Sequence, residues 1–273
     1  MDLKRLYIFT GKGGVGKTTL SLSFTKCYSD SYKVKYVYFK SSSLSQHSPH
    51  PESILQEANK MGIDVVGLDL AKAAQTYIGR KLRSPTLGKW VVKTPFFKAL
   101  INMIPGFNYL IYLGQILDSL NEDPELIYVL DSPSSGHALT MLEAVYNFSE
   151  IFQSGTVFED TKKMIRLLNK ENFLKINILT IPTEMSVKES QELELSLQQI
   201  AKIQTATICN TSLKSIENIS SIKPPPSLQV KIDNEQEIIN KHGHLINYFI
   251  PYSTSNTPSQ LIKDLVPSTK NLV

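Results

Sequence analysis

Leu6-Tyr7-Ile8-Phe9-Thr10-Gly11-Lys12-Gly13-Gly14-Val15-Gly16-Lys17-Thr18-Thr19 is the stretch on which the reading of this chain turns. Residues 6–10 are apolar, aromatic or β-branched and predict a buried strand, and residues 18–28 carry a helical pattern. Between them, Gly11 to Thr18 fits G-x-x-x-x-G-K-[ST], and a strand before and a helix after are the setting in which that pattern is a phosphate loop. Glycine accepts positive φ and places no Cβ in the way. Successive N–H groups can therefore turn inward around phosphate oxygens at the positive end of the following helix. Lys17 is then positioned to reach the β and γ phosphates of ATP, and the Thr18 hydroxyl to take a place on Mg²⁺.

The same residues contain Gly11-x-Gly13-x-x-Gly16, which also satisfies a dinucleotide fingerprint. That alternative requires an acidic residue about twenty positions further on to hold the ribose hydroxyls. Here the second apolar run ends Tyr36-Val37-Tyr38-Phe39-Lys40 without an acid. Lys17-Thr18 makes sense only for the phosphate loop.

Outward from the loop, apolar runs recur at residues 34–39, 126–131, 176–181, 205–209 and 246–250, and helical patterns at 68–82, 140–148, 187–201 and 235–241. Strands alternating with helices imply parallel pairing through right-handed crossovers, and strands with so little polar alternation are covered on both faces. The expectation is a doubly wound α/β fold, a mostly parallel sheet between two layers of helices, with ligands at the carboxyl ends of the strands. The 273 residues, 41% of them hydrophobic, suit one such domain spanning 1–273, with a helical subregion at about 68–120. Residues 41–51 and 212–228, the latter with Pro224-Pro225-Pro226, read as polar loops.

A formal charge of +4, from 29 basic and 25 acidic residues without a block of one sign, gives no nucleic-acid footprint. Cys27 and Cys209 form no CxxC and read as buried small apolar residues, which argues against a disulfide framework, a zinc clip or a thiol-ligated metalloid site. His242-x-His244 and His47 with His50 lack an acidic or thiolate set and read as solvated surface. The short apolar run at 6–10 meets glycine too soon for a signal-peptide core, and no run of about eighteen apolar residues exists. A cytoplasmic protein without stable membrane insertion is expected.

The loop Gly11-Lys12-Gly13-Gly14-Val15-Gly16-Lys17-Thr18-Thr19 resembles the deviant phosphate loop of the signal-recognition, Min and Par group of dimeric ATPases. There the extra lysine, here Lys12, crosses to the partner's nucleotide. Leu130-Asp131-Ser132-Pro133-Ser134-Ser135-Gly136-His137-Ala138-Leu139-Thr140 is similar to the second switch of the arsenite-pump ATPases and of the related ATPase that guides tail-anchored membrane proteins. Pro105-Gly106-Phe107 and Pro182-Thr183-Glu184-Met185-Ser186-Val187-Lys188-Glu189 keep that family's order, and the echoes run from about Leu6 to about Pro251. The resemblance implies an ATP- and Mg²⁺-dependent ATPase working as a homodimer or as a heterodimer with a related ATPase. Catalytic roles fall on Lys12, Lys17 and Asp131, and magnesium contacts on Thr18 and Asp131. Nucleotide contacts run from Gly11 to Thr19 and include Gly136, Asn210 as the adenine contact, and Pro251. The residues agree about Asp131: a carboxylate ending an apolar strand is the usual partner of a phosphate-loop magnesium. A helix N-cap is its alternative role. Gly136 reads as a pivot for a loop sensing the γ phosphate, and His137 as either a switch residue or a packed one.

The chain departs from that family where its first switch reads Asp-Pro-Ala-His-Ser, whose Asp is implied to position the attacking water. Here the sequence is Phe39-Lys40-Ser41-Ser42-Ser43-Leu44-Ser45, with no acid between Asp30 and Glu52. Such a positioned group typically supplies about 10²- to 10⁴-fold in rate. Slow or partner-dependent hydrolysis is expected, unless Ser42 or Ser43 holds the water. The alternatives are a non-catalytic ATP-binding subunit or scaffold in a heterodimer, and a Min/Par-like positioning ATPase. The latter wants a terminal amphipathic basic helix, and Pro267 interrupts the tail at 260–273. Residues 90–104, apolar and aromatic, lie where the family builds a groove for a hydrophobic-helix protein client; helices packed on the sheet are the other reading.

Overall fold

The computed structural model describes residues 3–41, 52–214 and 224–273. Ser42, Ser43, His47 and His50, and much of the two expected loops, lie outside the described residues. Seven parallel strands form one sheet in the order β3-β2-β4-β1-β5-β6-β7. They are β1 (Leu6–Gly11), β2 (Val34–Phe39), β3 (Asp64–Leu68), β4 (Ile127–Asp131), β5 (Leu174–Thr180), β6 (Gln204–Ser212) and β7 (Tyr248–Pro251). The helices are α1 (Lys17–Ser29), α2 (Glu52–Lys60), α3 (Leu70–Lys81), α4 (Pro85–Lys93), α5 (Pro95–Met103), α6 (Phe107–Glu122), α7 (Ser135–Ile151), α8 (Thr156–Leu168), α9 (Glu184–Ile200), α10 (Pro226–His242) and α11 (Pro258–Thr269).

The doubly wound architecture follows from the lack of polar alternation in the strands. Along β1, Leu6 and Ile8 face one core and Tyr7 and Phe9 the other, all completely buried. The first core is closed by residues of α3, α6, α7 and α9, the second by α1 and α11. β1 therefore sits at the centre of the sheet, and the loop that leaves it opens at the carboxyl ends of the strands, between β4 and β5.

Three expectations are corrected. Leu68 ends strand β3 rather than starting a helix, and α3 begins at Leu70 with Asp69 as its cap, its carboxylate accepting from the Lys72 amide. α11 runs through Pro267, which removes the one amide that would bond to the Lys263 carbonyl, while buried Ile262 and Leu265 hold the helix on the core. Cys27 is half-buried, while Cys209 is fully buried, its thiol pushed up to about 12 by burial and then by Glu235. Among the described residues no single helix is long and apolar enough to cross a membrane; α5 and α6 reach that length and apolarity only together, bent by 98° at the break.

Candidate nucleotide site

The loop between β1 and α1 has the backbone its glycines predict. Gly11, Gly14 and Gly16 take φ of 142°, 83° and 90°. Around Gly13 and Gly14 nothing lies within 4 Å of where a Cβ would be. Gly16 caps α1 and brings no side-chain hydrogen bond, so the first-turn N–H groups stay directed into the loop, as a bound phosphate requires.

Lys17 is buried, its ammonium donating to the carbonyls of Gly11 (3.1 Å) and Lys12 (2.9 Å). Burial lowers its pKa and the nearby Asp131 opposes that shift. A cation held under a ring of backbone amides is suited to a polyanion. Lys12, the extra lysine, points away and pairs with Glu189 of α9 at 2.8 Å, both side chains exposed. Thr19 stands on α1, its carbonyl accepting from the Ser23 hydroxyl.

Asp131 ends β4, buried, and its Oδ2 accepts from the Thr18 hydroxyl at 2.6 Å and from the Tyr36 hydroxyl at 2.8 Å. It is not a helix cap, since Ser134 takes that position for α7. A hydroxyl and a carboxylate side by side at the mouth of a phosphate loop are hard oxygen donors, the set Mg²⁺ selects. Tyr36 was not foreseen from sequence, where a tyrosine in an apolar strand reads as core. Its ring is completely buried, and burial and then Asp131 hold its pKa well above the ordinary phenol value.

Asn210, near the end of β6, donates its amide to the Val15 carbonyl at 2.8 Å and is buried. Its Nδ2 lies 2.2 Å from where a Cβ on Gly16 would be, so the phosphate loop is braced from the neighbouring strand and only glycine fits there. The aim of that side chain comes from a register shift between Cys209 and Ser212, with Thr211 at φ 58°, a left-handed conformation that a β-branched residue adopts only under tertiary constraint. Beyond the ends of β5, β6 and β7 a cleft of 850 Å³ opens, lined among others by Pro182, Glu184, Thr211, Lys241 and Tyr252. Pro251 ends β7 immediately before Tyr252. Glu184, held by Lys188 and Lys241, has its pKa lowered to about 2.

Gly136 falls in the first turn of α7 with open space around it. His137 packs against Tyr109 of α6 and shares a hydrogen bond with its hydroxyl; burial lowers the imidazole pKa. Tyr109 and Tyr112 also meet Phe39 at the end of β2, so one aromatic group links the end of β2 to the first turn of α7. Among the described residues no group of three or more His, Cys, Asp and Glu could hold a metal ion.

A seven-stranded parallel sheet with a glycine loop at its centre, a threonine following its lysine and an aspartate on the adjacent strand defines a P-loop nucleotide-binding protein. The profile of the anion-transporting ATPases matches residues 4–156, more than half of the chain, and the chain belongs to that family. It is 28% identical to ATPase ASNA1 homolog 2 of Paramecium tetraurelia over 56% of this chain and 46% of that protein. It is 23% identical to the arsenical pump-driving ATPase of Escherichia coli over 96% of this chain and 44% of that protein. To ATPase BagA of Mycobacterium tuberculosis it is 21% identical over 73% of this chain and 62% of that protein. The chain thus spans a little under half the length of the first two relatives.

Proposed function

We propose that this chain is a nucleotide-switched ATPase of the arsenite-pump and tail-anchored-protein-targeting type, acting as one P-loop domain over 1–273 in a homodimer or a heterodimer with a related ATPase. The observation that carries this reading is the Thr18 hydroxyl on Asp131 at 2.6 Å beside an uncapped, glycine-lined helix start. Gly11 to Thr19 would hold the phosphates of ATP, and Thr18 and Asp131 the Mg²⁺, which when bound neutralises phosphate charge. Lys17 turns from loop carbonyls to phosphate oxygens, and Tyr36 keeps Asp131 oriented. Asn210 braces the loop, and the cleft that continues from Thr211 to Tyr252 offers room for the nucleoside, next to Pro251.

Hydrolysis is slow or partner-dependent in this proposal, because no acid stands between Asp30 and Glu52 to position water. For Lys12 to reach a partner's nucleotide it leaves Glu189, an exposed pair worth about 0–1 kcal/mol, a small obstacle. The second reading, a non-catalytic ATP-binding subunit, rests on the same missing acid. A Min/Par-like role is less well supported, since α11 spends its apolar residues Ile262 and Leu265 in the core. Arsenite handling lacks support too, because only Cys27 and Cys209 are present and Cys209 is inaccessible.

Single-turnover hydrolysis of ATP, with binding followed by a fluorescent analogue, tests the proposal. Mg²⁺-dependent binding with turnover far below the ordinary order of 1 s⁻¹, rising with a related ATPase subunit, is expected. Fast turnover by the isolated chain refutes the slow reading, and absent binding refutes both. Turnover that no subunit raises favours the scaffold.

A further inference from the structure

Between residues 82 and 117 the chain carries Arg83, Lys89, Lys93 and Lys98 and no acidic residue. These four equal the whole excess of 29 basic over 25 acidic residues, so the rest of the chain is balanced. Just before this segment, at the end of α3, Arg80 pairs with Asp118 and Lys81 with Asp160. Among the described residues these four form no ion pair.

The same segment exposes large apolar side chains. In α4 the inward positions are Gly88 and Val92, and the opposite pole of the helix is Trp90, 66% exposed, with Leu87 beside it and Lys89 and Lys93 on the other flank. In α5 Phe97 and Ile101 are buried, while Phe96 and Met103 are 74% and 78% exposed and Lys98 is open to solvent. Thr94 ends α4 and caps α5, so the two faces follow one another without an intervening loop. A single exposed apolar residue needs no explanation, but a run of aromatic and aliphatic tips interleaved with unpaired cations does.

We infer that the α4–α5 surface docks on an anionic lipid bilayer, Trp90, Phe96 and Met103 entering the interface while Lys89, Lys93 and Lys98 meet the headgroups. An apolar protein helix would cover the aromatics and leave the lysines unanswered, whereas an anionic interface answers both. Each helix has nine residues, about 14 Å at 1.5 Å per residue, so both lie in the interface plane and neither spans it. This docking needs no nucleotide, and its failure would leave the ATPase reading untouched.

Trp90 is the only tryptophan, so its emission reports on this surface alone. The test adds the full chain to vesicles of phosphatidylcholine, with and without phosphatidylglycerol, and follows tryptophan emission and co-sedimentation. Expected are a blue shift and sedimentation with the anionic vesicles only, both reversed by high salt. Replacing Lys89, Lys93 and Lys98 together by Gln weakens vesicle binding on the order of 100-fold, at about fivefold per lysine. Trp90→Ser also lowers sedimentation, and circular dichroism of these exposed-site variants verifies their fold. No binding to anionic vesicles overturns the inference, as does equal binding to neutral ones or indifference to the lysine replacements. A blue shift produced only by a hydrophobic helical peptide, or only by raising protein concentration without lipid, overturns it in favour of a protein client or a second copy.

Discussion

Replacing Tyr36 by Phe removes one oxygen from the centre of the site and nothing else. In the native chain that oxygen donates to Asp131 Oδ2 at 2.8 Å, the tyrosine being completely buried and Asp131 3% exposed. The carboxylate has already left water, so the lost bond is not replaced by solvent, and a hydrogen bond to a charged group contributes about 1.5–3 kcal/mol. Thr18 still donates to the same oxygen, which places the expected loss near the lower half of that range, about 2 kcal/mol. For a chain of this size that corresponds to a fall in Tm of roughly 4–8 °C. Urea unfolding followed by circular dichroism, with an unchanged m value, measures it. Repeating Tyr36→Phe in an Asp131→Asn background separates the charge from the ring: there the cost shrinks to that of a neutral bond, about 1 kcal/mol. A loss under about 0.5 kcal/mol in the native background, or the same loss in both, refutes the reasoning that the phenol orients a buried carboxylate.

Gly16→Ala strains a residue at φ 90° by about 1–2 kcal/mol and drives a methyl into Asn210 Nδ2; nucleotide-analogue binding falls at least tenfold, and fluorescence titration checks it. Asn210→Ala frees the Val15 carbonyl and lowers stability by about 1 kcal/mol, measured by urea unfolding; a neutral result would show that the loop needs no brace. His137 has a lowered pKa from burial, so the folded chain resists its protonation while the unfolded chain accepts it near 6.5. The contribution of His137 is therefore complete above pH 6.5 and declines as pH falls. The stability gap between the native chain and His137→Gln should narrow between about pH 7 and 5, and a constant gap argues against it. Finally, a thiol reagent should modify half-buried Cys27 in the native chain and leave Cys209, with its thiol at about 12, until unfolding; peptide mapping distinguishes them.

Much of this fold was legible because its strands are short apolar runs and its loop is a dense glycine pattern. β3 escaped notice for physical reasons: it is an edge strand of five residues, with Asp64 and Gly67 inside it, and it has no need of a continuous apolar face. Pro267 reads locally as a helix breaker, but α11 continues around it because Ile262, Leu265 and Thr269 are buried. In the site, Gly11 to Thr18 and Asp131 are each visible in the sequence as short motifs, and the fold joins them through the Thr18–Asp131 hydrogen bond. Tyr36 could not be found from sequence, since nothing separates a tyrosine that packs from one that donates to a carboxylate on the neighbouring strand. The hydrogen bond from the Asn210 amide nitrogen to the Val15 carbonyl is a relation across the chain that no local pattern encodes.

The position of β1 bears on how this protein can be cut. The family profile ends at residue 156, yet β1 is bonded on one side to β4 and on the other, through Leu6 to Gly11, to β5 at Leu174–Thr180. A fragment ending at the profile's limit would turn the most protected strand of the molecule into a bare edge, with six residues of unpaired backbone next to the phosphate loop, a template for aggregation. It would also discard Asn210. The recognisable half of this chain is not a foldable half, and expression or domain-grafting work should carry the sheet through β7.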